Sequence, residues 1–175
     1  LIDQVKADVE NDSLSITFSS EGGGMKRLKS LGRESKLQYF VTVKSLSGLT
    51  LSGAGNIQAD QLSGESLNLL HSGEGRLILK GLKYDEIEVS LEGLGEILLE
   101  GEINTQNVDL SGLGIYKAEA LQTQKANVNV SGAGTAKVWV EGDLNATLTG
   151  AGSIIYKGQP ALEKSITGLG NVKPL

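Results

Sequence analysis

The chain has 175 residues, with 16 basic against 21 acidic side chains and a net charge of −5. Gly is abundant at 24 residues, about twice the ~7% background, and aromatics are scarce at 4%. Acidity without a basic stripe excludes a phosphate-driven nucleic-acid binder, the lack of Cys excludes disulfides, thiolate nucleophiles and zinc–thiolate sites, and no apolar run reaches the ~18 residues of a membrane-spanning helix.

Residues 1–47 read as an N-terminal β cap with an entry rung. Leu14, Ile16 and Phe18 alternate with Ser and Thr after an Asn11-Asp12 turn, and Val5 and Val9 begin the partner strand. Gly22-Gly23-Gly24 then opens a loop from Met25 to Lys36. There Lys26, Arg27, Lys29, Arg33 and Lys36 stand against Glu34 alone. It reads as a solvated loop, with anionic glycans or lipid headgroups as the functional alternative. Leu37, Tyr39, Val41 and Val43 alternate again and lead into Leu49. The chain begins at Leu1 and shows no signal peptide, which reads as a mature or trimmed form whose targeting segment has been removed.

Residues 48–175 are a repeat. A Gly-x-Gly element recurs at Gly53 and Gly55, Gly73 and Gly75, Gly93 and Gly95, Gly112 and Gly114, Gly132 and Gly134, Gly150 and Gly152, and Gly168 and Gly170. The first glycines are spaced by 20, 20, 19, 20, 18 and 18 residues. A lone Gly-x-Gly carries no information; this regular series does. Measured from the first Gly, offset −4 holds Leu49, Leu69, Val89, Val108, Val128 and Ala146. Offset −2 holds Leu51, His71, Leu91, Leu110, Val130, Leu148 and Ile166. Offset +4 holds Ile57, Leu77, Ile97, Tyr116, Ala136, Ile154 and Val172. Odd offsets are mostly polar, with Asn68, Asn107, Asn127 and Asn145 at −5.

Period two on both sides of each Gly pair marks two short strands per repeat. The Gly pair turns the chain between them, where either a positive φ or close backbone approach is required. A second turn of variable composition closes the rung near Lys80-Gly81, Gly142-Asp143 and Gln159-Pro160. Repeats of 18–20 residues that align as columns describe an all-β, single-stranded parallel β-helix of about seven rungs. At ~4.8 Å per stacked strand, six steps make a solenoid roughly 29 Å tall.

At Ser52-Gly53-Ala54-Gly55-Asn56-Ile57, after Tyr39-Phe40-Val41-Thr42-Val43, the chain resembles the bacterial head GIN domain family of autotransporter-adhesin type. The resemblance extends to Thr167-Gly168-Leu169-Gly170-Asn171-Val172. It implies a right-handed β-helix whose Gly-x-Gly turns separate two sheets. It also implies export to the cell surface or periplasm of a Gram-negative bacterium, and adhesion by analogy to trimeric autotransporter heads. No catalytic residue and no cofactor come with it. Glu92 breaks the Ser/Thr column that precedes the glycines, and Glu74 breaks the small apolar column between them.

Candidate sites divide by face. The single His, His71, falls in the interior −2 column and reads as structural rather than catalytic. Residues 85–102 carry Asp85, Glu86, Glu88, Glu92, Glu96, Glu100 and Glu102 without a base. They read as a solvated face, because a calcium site needs six to eight converging oxygens, with a weak cation site as the alternative. Ile78, Leu98 and Ile155 stand at the outward offset +5, and Trp139 at +7. An exposed apolar stripe on a rigid wall marks a partner, here a homo-oligomer contact, with a trimer implied by the family analogy; cover from the N-terminal segment is the competing reading. The Asn column and the Ser/Thr column read as ladders that satisfy turn backbone, with a glycan along the polar wall as a further reading. The function expected is therefore a non-enzymatic, adhesin-like binding module that meets a glycan or a surface protein through a repeat wall. An envelope scaffold without its own ligand is the alternative, and a polysaccharide-active β-helix enzyme the second alternative.

Overall fold

The computed structural model describes residues 5–18 and 38–175, which divide into two units, Leu1–Thr42 and Val43–Leu175. The Gly22–Gly24 run, the basic residues of 26–36 and Leu37 lie outside the described residues. In the first unit, β1 (Val5–Glu10) and β2 (Ser13–Phe18) form an antiparallel hairpin. Asn11 (φ 48°) and Asp12 (φ 61°) supply its two-residue turn. Both need the left-handed region, which Asn and Asp tolerate better than other side chains. Residues 38–47 belong to no strand, and Tyr39, Val41 and Val43 are exposed there.

The second unit is a parallel β-solenoid of about six turns. Each Gly-x-Gly corner joins two strands. The strand before the corner lies on what we term the return wall, and the strand after it on the forward wall. β3 (Gly48–Leu51) and β5 (Ser63–His71) are return strands, and β4 (Ala54–Asp60) is a forward strand. β6 (Glu74–Leu91), β7 (Glu96–Leu110), β8 (Ile115–Val130) and β9 (Thr135–Leu148) each run along the forward wall, round a second bend and back along the return wall. β10 (Ser153–Lys157) and β12 (Asn171–Pro174) complete the forward wall, and β11 (Ala161–Ile166) the return wall. All their pairings are parallel, with inner strands bonded to the turn before and the turn after and the end strands β3, β4, β11 and β12 to one neighbour. The column register is the one read from the glycines: Ile57 pairs Leu77, Leu77 pairs Ile97, and Ile97 pairs Tyr116.

The corner explains the glycines. The middle residue's N–H donates to the first glycine's carbonyl of the preceding turn, as in Leu113 to Gly93 (3.2 Å), Ala133 to Gly112 (3.2 Å) and Ala151 to Gly132 (3.1 Å). A Cβ on Gly132 would overlap the Gly112 carbonyl oxygen, and one on Gly168 that of Gly150. The second glycine makes room for a side chain. Leu91 fills the space of a Cβ at Gly114, Leu110 that at Gly134, and His71 that at Gly95. Close approach is therefore the general requirement at this corner. A positive φ is adopted there only by Gly53 (86°) and Gly75 (123°).

The second bend behaves differently. Register shifts fall between Leu79 and Leu82, between Leu98 and Glu100, and between Ala118 and Gln122. The unequal repeat lengths are absorbed here, while the glycine corner stays in step. Positive φ is adopted here by Gly81 (62°), Gly101 (144°) and Gly158 (102°), which permits the uneven bends.

The core is the set of inward columns. Leu69, Val89, Val108, Val128 and Ala146 are buried in one; Leu77, Ile97, Tyr116, Ala136 and Ile154 in another. Each fully buried aliphatic contributes about 1.5–3 kcal/mol. Tyr116 is accommodated because its stacked neighbour is Ala136. Three polar side chains are also buried: His71, Gln106 and Thr123. Tyr116 Oη donates to Gln106 Oε1 (2.9 Å). Gln106 Nε2 donates to Thr123 Oγ1 (2.8 Å), which itself donates to the Leu121 carbonyl (3.2 Å). Burial raises the Tyr116 pKa far above the ordinary tyrosine value, so the hydroxyl stays a donor.

Candidate functional site

Sequence position assigns the outer faces, and the structure shows their chemistry. On the forward wall the outward columns carry Arg76, Lys80, Lys117, Lys137, Lys157 and Lys173, among Asp60, Glu74, Glu96, Glu100 and Glu119. Opposite charges meet from one turn to the next. Glu96 lies between Arg76 (2.9 Å) and Lys117, Lys80 meets Glu100 (2.9 Å), and Lys137 meets Glu119 (3.6 Å). The hydrogen bond from Lys117, with further attraction from Arg76, holds the Glu96 carboxyl below the usual carboxylate range against the opposing effect of burial.

The four apolar candidates sit on this wall. Ile78 pairs Leu98, and Leu98 pairs Lys117. Ile155 follows Lys137 in the same column. All three are half-buried rather than fully open, since long charged side chains flank them. Trp139 is half-buried too. Lys157 Nζ stands 3.6 Å from its ring centroid, and its Nε1 donates to Glu141 Oε1 (2.6 Å).

The return wall is acidic and amide-rich. Glu65, Asp85, Glu86, Glu88, Glu102, Asp109, Glu141, Asp143 and Glu163 outnumber Lys83, Lys125 and Lys164. Asn145 Nδ2 donates to Asn127 Oδ1 (2.9 Å), Asn127 Nδ2 to Asn107 Oδ1 (2.8 Å), and Asn107 Nδ2 to Glu86 Oε1 (2.7 Å). Asn129 Nδ2 donates to Asp109 Oδ1 (2.9 Å), and Asn68 Nδ2 to Glu88 Oε2 (3.1 Å). These amides bond one another and neighbouring carboxylates across turns, rather than the turn backbone that sequence reasoning assigned to them. Beside the ladder lies an open depression of about 560 Å³, lined by Thr105, Lys125, Asn127, Asp143, Asn145 and Glu163.

The acids of 85–102 are dispersed. Asp85, Glu86 and Glu88 accept from Asn104, Asn107 and Asn68; Glu96 and Glu100 meet cations on the other wall. Among the described residues no group of three or more His, Asp or Glu side chains converges as metal ligands would. His71 is buried. Its Nδ1 accepts from the Gly73 N–H (3.3 Å), which leaves Nε2 to donate to the Gly75 carbonyl (3.3 Å). Both ring nitrogens are spent on the corner.

Sequence reasoning missed the corner edge. Leu94 is 60% exposed, Leu113 62% and Leu169 96%, with Ile115 beside them at 40%. Leu94, Leu113 and Ile115 line a second depression of about 410 Å³ together with Arg76 and Glu96. The signal was present as the middle residue of each Gly-x-Gly. A residue between two glycines that face a packed stack has only the outside left.

The model of the family described as "Putative auto-transporter adhesin, head GIN domain" matches residues 1–160. The chain belongs to the head GIN domain family. Solved structures agree with its fold. A "putative adhesin" from Bacteroides fragilis is 21% identical with a TM-score of 0.83, over 99% of this chain and 78% of that one. A "putative lipid binding protein" from Parabacteroides distasonis is 26% identical with a TM-score of 0.79, over 100% of this chain and 80% of the other. A "putative adhesin" from the same species is 23% identical with a TM-score of 0.67, over 99% and 79%. No curated protein matches the chain.

Proposed function

We propose that this head GIN chain is a non-enzymatic, exported binding module of a Gram-negative cell surface. It meets its partner from a stiff wall, where avidity across turns replaces one deep pocket. The observation that carries this reading is the register: the corner holds each outward column in line, so a side chain can recur over neighbouring turns, as Asn107, Asn127 and Asn145 do. The family's adhesin description and the likeness to Bacteroides and Parabacteroides proteins agree with it. The forward wall around Ile78, Leu98, Ile155 and Trp139 is the contact between copies of the chain, as a trimer. Light scattering on the purified chain, with a glycan and matrix-protein array in the same buffer, tests both parts. Leu98→Glu is expected to make an oligomer monomeric and to weaken array binding. A native monomer, or a variant with unchanged mass, removes the contact; an array without any binder removes the module.

A lipid ligand is the second reading. It is favoured by the exposed Leu94, Leu113 and Ile115 at the corner and by the description of the Parabacteroides distasonis relative. Co-flotation with phosphatidylglycerol vesicles, lost in Leu94→Asp/Leu113→Asp, is the result expected on that reading; no flotation of the native chain rejects it.

A further inference from the structure

We propose that the return wall along Asn107, Asn127 and Asn145 seats an uncharged, linear glycan, a deepening that rests on the binding-module reading above. Four observations converge. The open depression there is lined by hydroxyl-binding groups of both kinds: amides at Asn127 and Asn145, carboxylates at Asp143 and Glu163, and the ammonium of Lys125. A sugar hydroxyl both donates and accepts, so a mixed lining serves it better than a lining of one sign.

The amides are ordered before any ligand arrives. In the ladder Asn107 and Asn127 each spend one N–H and one carbonyl lone pair on their neighbours, and Asn145 spends one N–H. The second N–H and the second lone pair remain to face outward. Immobilising a side chain on binding costs conformational entropy, and the ladder has already met that cost. The same donor–acceptor pair is presented turn after turn at ~4.8 Å. A chain of sugar rings, with its own regular array of hydroxyls, can use several turns at once.

Charge then selects among glycans. Glu86, Glu88, Asp109, Asp143 and Glu163 surround the ladder, with Lys125 as the one cation in the lining. A sulfated or uronic-acid polymer would be repelled by this field, whereas an uncharged one would not. Finally, Leu94, Leu113, Ile115 and Leu169 expose apolar side chains at the glycine corner, whereas Leu162 in this depression is half-buried. A lipid or an apolar protein partner would seat on the corner or the forward wall instead.

The test titrates the full chain, by isothermal calorimetry or NMR shift perturbation, with cellohexaose, maltohexaose and mannohexaose. A heparin hexasaccharide is the acidic control. At least one neutral hexamer is expected to bind and heparin not to. Asn127→Leu/Asn145→Leu, both exposed positions, is expected to weaken that binding by about tenfold or more, and the forward-wall variant Lys80→Gln to leave it unchanged. Asp143→Asn/Glu163→Gln is expected to admit the heparin fragment, giving a readout that does not depend on the ladder. Heparin binding as tightly as the neutral hexamers overturns the proposal, as does unchanged binding by a folded double-Asn variant. If the neutral hexamers fail while a matrix protein or vesicle binds, the glycan inference falls and the binding module stands. If no probe of any class binds, both fall.

Discussion

The two outer walls solve one problem with different chemistry. Both must stack residues in register from turn to turn without leaving a sticky surface. The forward wall does so with ion pairs, Arg76–Glu96–Lys117, Lys80–Glu100 and Lys137–Glu119, laid over half-buried Ile78 and Leu98. The return wall does so with amides that hand hydrogen bonds from turn to turn through Asn145, Asn127 and Asn107. Exposed ion pairs weaken with salt and acid; amide bonds do not titrate. The difference teaches that one solenoid can carry a face held by ion pairs and a face held by an amide ladder side by side, because the interior columns, not the outer ones, supply the stability.

The contrast depends on the shared corner, so the largest expected effect comes from breaking it. Gly132→Ala drives a Cβ into the Gly112 carbonyl and should cost more than about 3 kcal/mol, or prevent folding. Gly53→Ala meets empty space at φ 86° and should cost only about 1–2 kcal/mol. Equal losses for the two in urea unfolding would refute the close-approach account of the corner.

Next in size is the interior polar chain. Gln106→Leu leaves the buried Tyr116 hydroxyl without its acceptor and should cost about 2 kcal/mol. Adding Tyr116→Phe should recover most of that, and a double variant no better than the single one would contradict this.

The walls themselves give smaller effects. Asn127→Ala removes two ladder bonds at an exposed site and should cost about 0.5–1.5 kcal/mol. Chemical denaturation at low and high salt should give the same loss, and a salt-dependent loss would erase the distinction between the walls.

Smallest is the acid response of Glu96. Its native pKa is lowered, so its contribution is complete above the ordinary value of 4.5 and is lost as pH falls below it. As a surface cluster it amounts to no more than about 1 kcal/mol. The stability gap between the native chain and Glu96→Gln should therefore narrow as pH falls below 4.5; a gap that does not change with pH would assign Glu96 a role other than charge.

Period-two columns made the solenoid legible because a stacked rung repeats its neighbour's environment, so seven weak signals add. The interior place of His71 and the hairpin at Asn11-Asp12 were legible for the same local reasons. Two physical alternatives at the glycines stayed open until the stacking was known, since a sequence does not show which carbonyl lies above which Cα. Gln106 and Thr123 went unread because a polar residue at one inward position resembles noise in a column, and its partner Tyr116 is 10 residues away. The leucines of the corner edge were legible as a column but not as a surface. Outward and inward are assigned by alternation, and alternation is interrupted at a turn.

The buried chain of Tyr116, Gln106 and Thr123 has a consequence for how the molecule finds its fold. A stack of similar apolar rungs is nearly degenerate under translation: sliding one segment by a whole repeat trades leucine for leucine. Hydrophobic burial alone cannot tell the true phase from its neighbours. A donor and acceptor set that closes only when these particular turns are adjacent gives a misphased stack an unpaired hydroxyl and amide in its interior. Those three side chains act as an index mark on an otherwise uniform scale.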